Sequence, residues 1–291
     1  MQTRELLQRV RRIEIKTRGL SRNIFSGHYH SAFKGRGMAF SEVREYQIGD
    51  DVRSIDWNVT ARFGHPFIKI FEEERELTVM LLIDVSGSNA FGTRQQLKEQ
   101  MITEIAAVLS FSAIHNNDKV GVIFFSDKVE KFIPPLKGKT HTLRIIRELI
   151  DFKPDSNQTD IREALRFLTN AIKKRATAFV ISDFMDKDFD KALSIANNKH
   201  DVVAIRIIDP AEQALPNVGM MKMQDAESKE VLWVDTSSKQ VAKKHFMWWQ
   251  QLNQNYKLSC RKAGVDQVEI SINKDFVKPL VNLFKVRQSR F

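Results

Sequence analysis

Five residues with oxygen-bearing side chains have the types and spacing that suit a hard metal cation. They are Asp84, Ser86, Ser88, Thr159 and Asp183. Carboxylate and hydroxyl oxygens, without His or Cys, favour magnesium, manganese or calcium over softer metals. Serines two positions apart on a loop can turn their hydroxyls the same way, and the glycine between them allows a tight turn. Because hydroxyl ligands are neutral, such an ion stays electron-poor, and a partner's carboxylate would fill a remaining coordination position.

The apolar pattern predicts the elements that would bring these residues together. Apolar runs over residues 77–84, 176–183 and 201–209 each end in an aspartate, and continuous runs of this length are typical of buried parallel strands. Because the carboxyl ends of parallel strands share one edge, where ligands bind, we expect Asp84 and Asp183 to face the same crevice. A helix starting near residue 160, capped by Thr159 or Asp160, would begin on that edge.

Alternation of strands and helices predicts an α/β fold, a doubly wound and mostly parallel sheet flanked by helices. Helical spacing favours helices over residues 97–112, 143–150, 161–172, 189–197, 239–263 and 276–284, with Gly264 as a helix stop. The first 75 residues differ, since a short amphipathic helix precedes a glycine- and aromatic-rich stretch whose turn signals separate short strands. We therefore expect an N-terminal segment over residues 1–75 and a larger domain over residues 76–291.

The five oxygen-bearing residues resemble the metal-ion-dependent adhesion site of von Willebrand factor A domains. That pattern is Asp-x-Ser-x-Ser, here Asp84 to Ser88, followed by a Thr and then an Asp on later loops. The resemblance implies a von Willebrand factor A-like, Rossmann-like fold and a Mg²⁺ or Mn²⁺ ion, with Asp183 acting through water. Family members often have Gly after the last Asp, whereas Phe184 stands here, and we expect its bulk to narrow access to the ion.

A second resemblance covers nearly the whole chain. Residues 36–46, 49–57 and 60–62, and the tail 276–287, are similar to the bacterial family called domain of unknown function 58, or DUF58. Its members resemble proteins encoded beside MoxR-type AAA+ ATPases, which implies a non-enzymatic, metal-dependent binding or adaptor protein in protein assembly or stress response. The charged residues of the signature could form an ion-pair network with the sheet or a docking surface for the ATPase. Under either interpretation we expect Trp57 to be a packing anchor.

Composition leaves two other functions to weigh. The formal net charge of +10 suits an acidic partner, nucleic acid or peripheral association with anionic lipid, or else a solvated face. Aromatic residues do not interleave with the basic ones, so no DNA partner is predicted. A metal-dependent phosphoryl hydrolase could use Asp84 and Asp183 around magnesium. However, the position two after Asp84, where an aspartyl-phosphate enzyme usually has an acid, is Ser86.

Cysteine content and hydropathy indicate the compartment. The single cysteine, Cys260, excludes an internal disulfide framework and a multi-thiolate zinc site. No apolar run reaches the length of a membrane span, and the basic start lacks the apolar core of a signal peptide. We therefore expect a cytoplasmic protein without a transmembrane segment.

Overall fold

A computed structural model describes residues 8, 10–14, 17, 38–73, 76–87, 98–225, 229–272 and 274–290. The chain divides into two compact units. The smaller unit is Lys34–Leu77, and the larger unit takes in Met1–Phe33 together with Thr78–Phe291. The end of the smaller unit lies next to the boundary expected near Glu76, while the first 33 residues group with the larger unit.

The smaller unit is a two-stranded antiparallel sheet with a short helix between its strands. Strand β1 (Met38–Glu45) pairs with β2 (Phe67–Glu73), with a register shift between Phe40 and Glu42. A 3₁₀ turn (Val52–Ser54) and helix α1 (Trp57–Phe63) connect the strands. The helix was not predicted from the sequence. It forms because the Asp56 carboxylate accepts hydrogen bonds from the first free amides, those of Asn58 and Val59.

Charged residues of the smaller unit make local contacts rather than one continuous network. Arg44 binds both carboxylate oxygens of Asp50, at 2.8 and 2.7 Å. Asp51 caps the 3₁₀ turn, and Asp56 lies 3.5 Å from Lys69 Nζ. Trp57 is 69% exposed, so the prediction that it anchors the packing is wrong.

The larger unit contains a six-stranded sheet and a separate hairpin. The sheet has the order β10-β7-β6-β3-β4-β5, all parallel except the edge strand β5. Its strands are β3 (Thr78–Asp84), β4 (Lys119–Phe125), β5 (Val129–Leu136), β6 (Thr177–Ser182), β7 (Asp201–Ile208) and β10 (Asp266–Ser271). The hairpin pairs β8 (Met220–Gln224) with β9 (Val231–Asp235). This confirms the predicted fold class, a doubly wound and mostly parallel α/β sheet.

Helices cover the sheet on both faces. In chain order they are α2 (Lys98–His115), α3 (Lys139–Asp151), α4 (Ile161–Ala171), α5 (Asp190–Lys199), α6 (Pro210–Gln213), α7 (Lys239–Ala263) and α8 (Val277–Gln288). The structure describes α2 from Lys98 onward. One core cluster joins alternate residues of the strands, such as Met80 and Leu82, to α4, α5 and α7. A second cluster packs Ala107 and Phe111 of α2 against α3 and Val10. The described residues among 8–17 are helical, as predicted for this segment.

The order of the strands reverses between β3 and β6. From β3 the chain moves outward through β4 to β5, whereas from β6 it moves the other way through β7 to β10. In open α/β sheets, the connecting loops diverge at such a point and leave a crevice beyond the carboxyl ends of the strands. The register pairs Ile83 with Ile181, so Asp84 and Ser182 end their strands side by side at this crevice.

Candidate metal centre

Asp84 is held in a fixed position by its own loop and by the neighbouring strand. It is the last residue of β3 and is 1% exposed. One carboxylate oxygen accepts a hydrogen bond from the Ser86 amide at 3.0 Å, and the other accepts one from Ser182 Oγ at 2.6 Å. The Ser86 hydroxyl also bonds this carboxylate. The Asp-x-Ser spacing therefore produces the turn that brings the first serine hydroxyl beside Asp84.

Asp183 follows β6 and is equally buried, at 1% exposure. Its Oδ1 accepts a hydrogen bond from the Met185 amide at 3.2 Å, and its Oδ2 accepts one from Lys98 Nζ at 3.0 Å. Lys98 is fully buried, and its ammonium also pairs with Glu212 Oε1 at 2.5 Å. Burial acts to lower the pKa of Lys98, but the charges of Asp183 and Glu212 raise it, so the side chain stays an ammonium.

The two aspartates at the strand ends repel each other electrostatically. Burial, and then the nearby charge of Asp183, raise the pKa of Asp84 to about 6, against the hydrogen bonds from Ser182 and Ser86. Buried charges are stable when they are paired or bind a metal, and a divalent cation between these carboxylates would remove the repulsion. Within the described ranges no group of three or more His, Cys, Asp or Glu is placed to hold a metal, so an ion here would need hydroxyl ligands as well. This donor set fits a hard divalent cation.

Thr159 lies in a segment that runs beside the Asp84 loop. The Gly87 amide donates to the Asn157 carbonyl at 3.0 Å, and the Asp160 amide donates to the Ser126 carbonyl at 2.9 Å. Of the two candidate caps, Asp160 caps α4 by accepting from the amides of the first turn. Ser88 lies outside the described residues, and its part in the site, like that of Thr159, stays a prediction.

Phe184 does not occupy the space above the site, contrary to the expectation that its bulk narrows access. Its side chain is 1% exposed and packs in the core, with ring centroids 4.9 Å from Tyr256 and 5.8 Å from Phe189. Its backbone has a φ of 53°, in the left-handed region that favours glycine. A glycine would suit this backbone, and here the core contacts of the ring compensate for the strain.

The matched segment of the chain decides its family. Residues 42–254 match the family described as "Protein of unknown function DUF58". The chain belongs to this family. It is 30% identical to the uncharacterized protein Rv1480 of Mycobacterium tuberculosis over 227 aligned residues. The aligned segment covers 77% of this chain and 72% of that protein. The resemblance to DUF58 noted in the sequence is thereby confirmed.

Solved structures are similar to this DUF58 protein in fold alone. An aerotolerance-related membrane protein from Bacteroides fragilis matches with a TM-score of 0.50 and 14% identity, covering 74% of this chain and 100% of that one. The SpRpn10 VWA domain matches with a TM-score of 0.39 and 13% identity, covering 71% of this chain and 94% of that one.

In the part of the DUF58 chain that the structure describes, no helix has the length and apolar character needed to span a membrane.

Sequence analysis missed two buried cations beside the site, and both had a detectable signal. Lys98 shares a helix face with Ile102 and Ile105, which are buried, so a lysine stands in an apolar stripe. Arg206 interrupts the apolar run of β7 and is fully buried, with its guanidinium over the rings of Trp249 and Tyr256 at 5.2 and 4.9 Å. Its Nε donates to the Asp183 carbonyl at 3.0 Å. Arg206 therefore fixes the backbone of Asp183, and Lys98 fixes its carboxylate.

Proposed function

We propose that this DUF58 protein is a metal-dependent protein-binding adaptor of the bacterial cytoplasm, not an enzyme. The observation that carries the proposal is the excess of carboxylates at the β3–β6 crevice. Asp183 and Glu212 share the buried ammonium of Lys98, and the charge of Asp183 raises the pKa of the neighbouring Asp84. These carboxylates outnumber that ammonium, and one Mg²⁺ or Mn²⁺ beside Asp84 and Asp183 would offset the excess.

Residues of this chain would hold the ion and leave one side of it open. Asp84, Ser86 and Ser88 would bind from the first loop, Thr159 from the second, and Asp183 through water from the third. Ser182 and the Ser86 amide keep Asp84 oriented, and Lys98 does the same for Asp183. When bound, the ion supplies an electron-poor position at which an acidic side chain of a partner can coordinate.

The contacts of Lys98 weigh against a phosphoryl hydrolase. Besides the metal ion, enzymes of this class use a side-chain cation that reaches the transferred phosphoryl group. Lys98 is the lysine in contact with Asp183, but it has no exposed surface and its ammonium pairs with two protein carboxylates. Recruiting it as a phosphate clamp would break both buried ion pairs, at a cost of several kcal/mol.

Four large apolar residues of the smaller unit are the candidates for contact with a protein partner. Ile48, Val52, Trp57 and Phe63 are each more than 60% exposed, and they lie in the segment that matches DUF58. Burial of such side chains against a partner would favour binding. We propose a MoxR-type AAA+ ATPase as the partner of these residues, with the metal site engaging an acidic residue of the ATPase or of its client.

Metal titration tests the proposal directly. We expect Mg²⁺ and Mn²⁺ to bind the wild-type chain with a stoichiometry of one in isothermal calorimetry, and Asp84→Ala to lose this binding. Capture of the ATPase should then require the metal, and Trp57→Ala should weaken capture without affecting the metal. Equal metal affinity of the wild type and Asp84→Ala would rule out the site, and hydrolysis of an aryl phosphate that Asp84→Ala abolishes would favour the enzyme.

A further inference from the structure

Lys98 is buried to a degree that lysine rarely reaches. The whole residue has no exposed surface, and burial of an unpaired ammonium costs several kcal/mol. Its Nζ lies 3.0 Å from Asp183 Oδ2 and 2.5 Å from Glu212 Oε1. These two carboxylates come from different parts of the chain, one following β6 and one in α6 after β7, and both lie on the edge that carries Asp84.

Glu212 is fixed by the local structure of its short helix. The Asp209 carboxylate accepts from the Ala211 amide at 2.9 Å, while the Asp209 amide donates to Glu212 Oε2 at 3.2 Å. This capping box leaves Oε1 pointing at Lys98. Pro210 occupies the first turn of the helix, where its fixed φ is favourable. Glu212 is therefore a preformed anchor for the ammonium and not a mobile surface carboxylate.

We propose that Lys98 and Glu212 together set the charge of the metal site, so that the site takes one divalent cation. The inference rests on the proposed metal site and assigns these two residues a role as positioning residues, without direct contact with the ion. Glu212 draws part of the ammonium's charge away from Asp183, which leaves Asp183 anionic enough to act on the ion. Lys98 in turn offsets part of the negative charge that the ion would otherwise meet at Asp183.

Three variants alter the charged groups one or two at a time. Glu212→Gln removes one negative charge and leaves the ammonium to Asp183 alone. Lys98→Met removes one positive charge, which favours a trivalent cation. The double variant Lys98→Met/Glu212→Gln leaves the summed charge as in the wild type, and Asp183 keeps the hydrogen bond from the Met185 amide.

The experiment compares Mn²⁺ affinity by calorimetry and Tb³⁺ affinity by luminescence in the wild type and the three variants, with circular dichroism to verify folding. Because the energy of an ion in the site follows the charge around it, we expect Glu212→Gln to bind Mn²⁺ at least about tenfold more weakly. The double variant should bind within about threefold of the wild type. Lys98→Met should raise the ratio of Tb³⁺ to Mn²⁺ affinity by about tenfold or more.

Two results would overturn the inference. One is an unchanged Mn²⁺ affinity in Glu212→Gln, and the other is a double variant as weak as Glu212→Gln. If Lys98→Met does not fold, the comparison of Glu212→Gln with the double variant still decides. As a control, Lys131→Met/Glu148→Gln removes a charge pair between β5 and α3 and should leave Mn²⁺ binding unchanged. A wild type that binds no Mn²⁺ would overturn the metal site itself, whereas the two results above would leave it standing.

Discussion

The two edges of the central sheet carry ion clusters in different states of balance. At the amino edge, Asp201 and Asp266 begin β7 and β10, and Arg287 of α8 binds them at 2.5 and 2.6 Å. Arg290 adds a second bond to Asp266 at 2.7 Å, so two carboxylates meet two guanidinium groups. At the carboxyl edge, Asp183 and Glu212 share the buried ammonium of Lys98, and the charge of Asp183 acts on the buried Asp84.

This difference separates a structural ion cluster from a candidate binding site. A balanced cluster needs no further counter-ion, and Arg287, which bonds one carboxylate with each terminal nitrogen, ties the last helix to two strands. An unbalanced buried cluster must take up protons or a cation. The raised pKa of Asp84, about 6, is the sign of this demand. The fold alone does not produce this difference in charge balance, because the same parallel strands run through both edges of the sheet. The difference comes from the side chains at the two ends of the strands.

Stability should fall at the balanced edge when its central arginine is removed. Arg287→Met takes the guanidinium from Asp201 and Asp266, and because both carboxylates are partly exposed we expect a cost of about 1–3 kcal/mol. Urea unfolding followed by circular dichroism should show this loss. Metal affinity should stay at the wild-type value, and a variant that lost metal binding while remaining folded would contradict the separation of the two edges.

At the unbalanced edge, Asp84→Asn should affect metal binding more than folding. Without the Asp84 charge we expect Mg²⁺ affinity to fall at least about 100-fold, or about 2.7 kcal/mol. At a Mg²⁺ concentration of 100 times Kd, the wild type should gain about 2.7 kcal/mol of stability and the variant almost none. Thermal unfolding with and without Mg²⁺ measures this gain. An equal gain in both proteins would place the ion elsewhere.

A pH effect is expected from His200, which precedes β7 at the amino edge. Burial, and then the charges of Lys199 and Arg175, lower the pKa of His200 to about 4. Between pH 6.5 and 4 the unfolded chain binds a proton that the folded chain does not. The free energy of unfolding therefore falls as the pH falls, by at most about 1.4 kcal/mol per pH unit from this residue. The stability that depends on neutral His200 is fully retained above pH 6.5.

His200→Gln isolates this contribution, since a glutamine carbonyl could still accept the hydrogen bond from the Ala176 amide. The difference in unfolding free energy between wild type and variant should narrow or reverse as the pH is lowered from 7 to 4. Other titrating groups act on both proteins and cancel in this difference. If the two pH profiles run parallel, His200 is not titrating as the structure implies.

Sequence alone predicted the elements of the sheet but not the charge balance at its edges. The runs ending at Asp84 and Asp183 predicted β3 and β6 because strands buried on both faces are apolar throughout. Helix α7 begins at Lys239 and ends at Ala263 before Gly264, as predicted, because the apolar spacing and the left-handed glycine are local signals. The domain boundary and the five metal ligands were also proposed from the sequence, and the ligands await the titrations above.

What could not be predicted depends on contacts between residues far apart in the chain. Lys98 pairs with Asp183, which lies 85 positions further along the chain. Ion pairs between such distant residues leave no local pattern in the sequence. Phe184 was expected to narrow access to the ion because it replaces a glycine of the family pattern, but its backbone has a positive φ and its ring packs in the core. Helix α1 was missed because it has only seven residues and its N-cap, Asp56, lies among the charged residues of the family signature.

The smallest effects should separate two neighbouring residues on the second loop of the unbalanced edge. Asp160→Ala removes the cap of α4, where the carboxylate accepts from the Arg162 and Glu163 amides, and should cost about 1 kcal/mol of stability. Thr159→Ala leaves that cap in place, so its stability should stay within about 0.5 kcal/mol of the wild type.

Metal affinity should respond in the reverse order. We expect Thr159→Ala to weaken Mg²⁺ binding by about tenfold through the loss of a hydroxyl ligand, and Asp160→Ala to leave it unchanged. Urea unfolding gives the stability of each variant, and calorimetry gives its Mg²⁺ affinity. If Asp160→Ala weakens Mg²⁺ binding and Thr159→Ala does not, the ligand on this loop is the carboxylate, and the match to the adhesion-site pattern fails at that position. In that case the edge would carry one more negative charge toward the ion, and its contrast with the balanced amino edge would be greater.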